Sequence, residues 1–73
     1  MSRNWSGIED FKLDDNNFVQ VGYKNSHLGF REYVVIGMVN GAPFNEHYGS
    51  DNDDNKRLAY DLYWEKQEEI LAV

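Results

Sequence analysis

Phe30-Arg31-Glu32-Tyr33-Val34-Val35-Ile36-Gly37-Met38-Val39-Asn40-Gly41-Ala42-Pro43 joins a long β-rich run to a tight-turn dipeptide. β-Branched and aromatic residues dominate Phe30 to Val39, which reads as a strand. Phe30, Val34, Ile36 and Met38 fall on one face, and Tyr33, Val35 and Val39 on the other. A strand apolar on both faces is central in its sheet. Asn40-Gly41 is the preferred pair for a type I′ hairpin, whose two central residues both need positive φ. The return strand is Ala42 to Tyr48. Pro43 cannot donate to a ladder, so this strand belongs at an edge.

Working outward, Phe18 to Tyr23 is β-rich and forms the strand before the central one, with Asn25 to Gly29 as the connecting loop. Further toward the N-terminus, Ser6-Gly7-Ile8-Glu9 fits a capping box. Trp5, Ile8 and Phe11 recur at a spacing of three, which predicts a short helical segment. The polar run Asp14-Asp15-Asn16-Asn17 ends it. Beyond the sheet, Ser50 or Asp51 is placed to cap a helix over Asn52 to Leu71, with Asp51, Asp53 and Asp54 at the positive end of its dipole. Leu58, Ala59, Leu62, Tyr63 and Ile70 form its apolar face, continued by Tyr60, Trp64 and Leu71. Asp54, Asp61, Glu65 and Glu68 gather on the remaining face. The expectation is an α+β fold in one domain, residues 1–73. A three-stranded antiparallel β-meander is packed by a C-terminal α-helix, with a short N-terminal helical segment.

Composition sets bounds. Two Trp, five Tyr and four Phe give a 73-residue chain enough large side chains for a small core. There is no cysteine, and the Met1-Ser2-Arg3 start leads into polar Asn4 with no apolar leader. Both features point to a reducing, cytoplasmic home. No run is long and apolar enough to span a membrane. The net charge of −6 repels phosphate backbones and anionic membranes and favours a protein partner with a basic surface.

Chemistry-bearing patterns are sparse. Asp51, Asp53 and Asn55 match the first three ligand positions of a calcium loop. Lys56 then replaces the required glycine, and Leu62 stands where the bidentate glutamate belongs. His27 and His47 belong to no metal-binding or catalytic motif, although Glu32 and Glu46 lie within reach if the strands pair. No nucleophile elbow or phosphate-cradling loop is present. Gly22 and Gly37 lie within strands, where glycine marks a bulge or a close backbone approach. The expectation is a binding protein, not an enzyme, with no cofactor. Its candidate partner-binding residues are Asp54, Tyr60, Asp61, Trp64, Glu65 and Glu68. Carboxylates along a rigid helix can imitate the phosphates of a duplex, and Tyr and Trp are favoured interface anchors.

The order strand, strand, Val39-Asn40-Gly41 turn, short strand, and helix with Leu58-Ala59-Tyr60-Asp61 resembles the AP2-type DNA-binding domain and related integrase arms. That resemblance covers about Phe18 to Glu65 and implies a sheet that reads DNA, here through Lys24, Arg31 and Tyr33. The strands hold too few Lys and Arg for duplex affinity, so direct nucleic-acid binding is not expected. By type, a free-standing acidic domain of this size is similar to small phage-encoded inhibitors of the anti-CRISPR or anti-restriction kind. A homodimer through an uncovered sheet face around Tyr33, Val35 and Val39 is a further expectation.

Overall fold

The computed structural model describes residues 5–25, 31–49 and 52–72. Four strands, β1 (Trp5–Asp14), β2 (Asn17–Asn25), β3 (Arg31–Val39) and β4 (Ala42–Tyr48), form one antiparallel sheet in sequential order. One helix, α1 (Asp53–Leu71), packs against β2, β3 and β4. His27, Phe30, Ser50 and Asp51 lie outside the described residues.

The N-terminal segment corrects the expected architecture: Trp5–Asp14 is a strand, so the sheet has four strands and no N-terminal helix. A helix of two turns with nothing to pack on is marginal in water. As a strand, the same residues gain a full ladder to β2. The three-residue spacing has a different origin. The β1–β2 register shifts between Gly7 and Glu9 and again between Lys12 and Asp14, which leaves Ile8 and Leu13 as bulge residues. Each bulge interrupts the alternation of faces and hides the period of two. The polar run is then a hairpin turn. Asp14 Oδ1 accepts from the Asn16 N–H at 2.8 Å, closing an Asx turn over Asp15-Asn16. Neither turn residue has positive φ, so this is not a primed turn. The bulge at Leu13 can absorb the resulting mismatch of strand twist.

The second hairpin follows its expected form. Asn40 has φ 53° and Gly41 φ 78°. Val39 and Ala42 flank this two-residue turn as a hydrogen-bonded pair, so Pro43 is in a non-hydrogen-bonded position. Its missing N–H would have pointed away from β3, and β4 is an edge strand. The two turns are tied together. The Gly41 N–H donates to the Asn16 carbonyl at 2.9 Å, and the Asn40 N–H donates to Asn17 Oδ1 at 2.9 Å. Asn17 Nδ2 donates in turn to Asp14.

Val19, Val21, Tyr33, Val35, Ala59, Tyr63 and Ile70 make the core. Residues 19, 21, 33 and 35 share the inner sheet face under the helix. Tyr33 and Val35 are therefore core residues, with Val39 packed beside them, and cannot form the exposed dimer face expected from the sequence. The face away from the helix is uncovered at Phe18, Ile36 and Met38, which are part-exposed, whereas Val34 on the same face is buried.

The N-cap of α1 is Asn52, whose side chain accepts from the Asn55 N–H at 2.8 Å. Asp53 and Asp54 occupy the first turn, as the sequence suggests. The docking face is narrower than its apolar arc. Ala59, Tyr63 and Ile70 are buried, whereas Leu58 is 45% exposed. Between Tyr63 and Ile70, Lys66 holds its ammonium 5.1 Å from the Phe44 ring centroid on the inner side of β4.

Candidate protein-binding surface

The six candidate residues all lie on α1, whose axis is fixed by Ala59, Tyr63 and Ile70. Asp54, Asp61, Glu65 and Glu68 are exposed, and helical periodicity places them opposite the buried stripe. Asp54 forms a loose pair with Arg57 at 3.7 Å, an exposed contact that adds little stability. Asp61, Glu65 and Glu68 have no cation in ion-pair range among the described residues. Trp64 adjoins them and is 50% exposed, with its ring edge-on to Tyr63 at 5.1 Å between centroids. Tyr60 is different: it is partly buried against the core. The structure brings five of the six to one outward surface and places Tyr60 at its lower margin.

The electrostatics of this helix are locally unfavourable. Asp61 and Glu65 are like charges at i,i+4. The last turn holds no basic residue, while Glu68 and Glu69 lie near the negative end of the dipole. Each such feature costs a few tenths of a kcal/mol, roughly, on an exposed helix. The arrangement therefore makes the helix slightly less stable and keeps a dense negative surface.

Glu9 of β1 reaches the other side of the same region. Burial pushes the Tyr60 and Tyr63 hydroxyls above the ordinary tyrosine range, and the Glu9 carboxylate adds to both shifts. For a phenol raised on folding, the unfolded chain ionises first. That stabilisation is complete below the unfolded value near pH 10 and is lost as pH rises through the folded values. Thermal melts from pH 8 to pH 11, with phenolate absorbance followed in parallel, should show Tm falling only above about pH 10. A flat Tm while all five tyrosines ionise would contradict the coupling.

His47 Nδ1 is 2.9 Å from Glu32 Oε1, and Lys24 Nζ lies 3.9 Å from Glu32 Oε2, all on the uncovered sheet face. Among the described residues no group of three His, Asp or Glu side chains could hold a metal ion. None of the described helices is long and apolar enough to cross a membrane. The residues implied for DNA reading do not share a surface. Lys24 is on the uncovered face, Tyr33 is in the core, and Arg31 stacks on the Tyr23 ring at 4.5 Å. An uncovered sheet face is expected from the sequence but on the wrong side, at Tyr33, Val35 and Val39, because alternation along β3 does not say which face the helix covers. Comparison with known families, with curated proteins and with solved structures finds no match for this chain.

Proposed function

We propose that this domain is a protein-binding module that presents the acidic face of α1, with Trp64 beside it, to the basic surface of a nucleic-acid-handling protein and blocks that surface. One observation carries the reading: Asp61, Glu65 and Glu68 project from a rigid helix without cation partners among the described residues, next to a half-exposed Trp64. A desolvating aromatic beside unpaired charge suits a cationic partner, which supplies both the missing counter-charges and a face for the indole. Charge complementarity of this kind acts strongly on association rate, so binding should weaken as salt rises.

The test is capture of partners by the tagged domain from its own source cells, followed by affinity measurement with variants. Asp61→Lys with Glu65→Lys should weaken binding by about tenfold or more, chiefly through a slower association rate. Glu65→Lys alone should hold or slightly raise Tm, because it replaces a like-charge pair with an attractive one. Unchanged affinity in the double variant would remove the acidic face from the mechanism. Recovery of duplex DNA in place of protein would favour the DNA-reading alternative.

A further inference from the structure

We infer that the uncovered sheet face is a self-association surface, on which two copies pack face to face with their helices outermost. The face has an apolar centre of Phe18, Ile36, Met38 and Pro43, bordered by Asn45. Its charges balance: register places Asp10 and Glu32 there with Lys12 and Lys24, two acids against two lysines. The helix is the opposite case. Asp53, Asp54, Asp61, Glu65, Glu68 and Glu69 stand against Lys56, Arg57 and Lys66, a balance of −3 and half of the chain's −6.

This segregation selects the occupant. A basic partner gains nothing from a neutral face, whereas a second −6 copy meets least repulsion there. Packing through this face also holds the two acidic helices as far apart as the fold allows. A two-fold axis makes the surface self-complementary, so each apolar centre covers the other. The alternative route, strand addition at an edge, is obstructed at both ends of the sheet. β1 carries two bulges and β4 carries Pro43.

Strand spacing and rise give the whole face about 20 Å by 25 Å, but Val34 and Gly22 at one end are already buried, so two copies bury somewhat less than about 1,000 Å² in total. That lies below the standard size for a stable interface, so the expected association is weak and concentration-dependent.

Sedimentation equilibrium of the full chain from about 1 to about 500 µM tests this. The expected result is a mass of 8.6 kDa at the dilute end, rising toward twice that value. Met38→Glu should weaken association by about tenfold or more by burying an unpaired charge at the centre. Asn45→Lys, at an exposed side chain that folding does not need, should do the same by setting like charges across the axis. Glu65→Lys on the helix should leave association in place. A monomer throughout the range would overturn the proposal. So would a dimer that survives both Met38→Glu and Asn45→Lys, or one abolished by Glu65→Lys. Results at Met38 and Asn45 leave the acidic-face reading untouched, since those residues are on the other side of the molecule, whereas loss of the dimer in Glu65→Lys would assign the acidic face to self-association.

Discussion

Gly37→Ala is expected to remove a large share of the protein's total stability while leaving it mostly folded in the absence of denaturant. Gly37 is on β3 opposite Val19, and a Cβ there would collide with the Phe18 carbonyl oxygen and stand 2.9 Å from the Val19 Cα. Both obstacles are backbone of β2, so no rotamer change relieves them. Overpacking that must be met by backbone movement costs about 3 kcal/mol or more. A 73-residue domain has about 4–10 kcal/mol of total stability. Strand preference alone gives the opposite sign, because alanine in place of a strand glycine normally gains up to ~1 kcal/mol. Urea titration followed by Trp fluorescence distinguishes them. Gly49→Ala is the control, since its Cβ would meet nothing within 4 Å. A Gly37→Ala protein as stable as wild type would mean that the strands do not approach so closely.

The second large effect is expected at Asn17. Its side chain is 8% exposed and serves both turns, accepting from the Asn40 N–H and donating to Asp14 Oδ1 at 3.1 Å. Asn17→Leu leaves the Asn40 N–H without this acceptor and should cost about 2 kcal/mol. Asn17→Asp preserves an acceptor but sets a second carboxylate against Asp14, where a donor had been. It should be the worse variant at pH 7 and should recover part of its loss as the pH falls and the carboxylates take up protons. Chemical denaturation at pH 7 and pH 4 reads both effects. If the two variants behaved alike at both pH values, the link between the turns would be incidental.

The hairpin at Asn40-Gly41, the edge position of β4 and the C-terminal helix were legible because each rests on a local rule. Positive φ at two successive residues, a proline without an N–H and 3.6-residue periodicity all leave marks within a few positions. β1 was not legible, because bulges at Ile8 and Leu13 erased its alternation and Ser6 to Glu9 satisfied a helix-start pattern instead. The docking stripe of α1 was only partly legible. An arc that includes Leu58, Leu62, Tyr60, Trp64 and Leu71 has no unique centre, and only packing against Val19, Val21 and Val35 selects Ala59, Tyr63 and Ile70. Of the candidate surface, the acidic residues follow from spacing alone. The partial burial of Tyr60 depends on which flank of the helix leans toward β1, and no pattern in α1 itself records that. The same limit applied to the dimer face, since Tyr33 and Ile36 look equally exposed or buried until the helix chooses a side.

The sequential strand order carries a kinetic consequence. Every strand pairs only with its neighbours in the chain, so the whole sheet can zip from hairpins closed over short loops. The I′ hairpin of β3 and β4 is the natural starting point, because Asn40-Gly41 has a local preference for its turn, to which the bonds to Asn16 and Asn17 are added once β2 docks. The step that must wait is arrival of α1, whose contacts reach back to β2 across the intervening strands. Substitutions at Ala59 or Ile70 should therefore act mainly on how fast the native state comes apart, and those in the β3–β4 hairpin on how fast it forms.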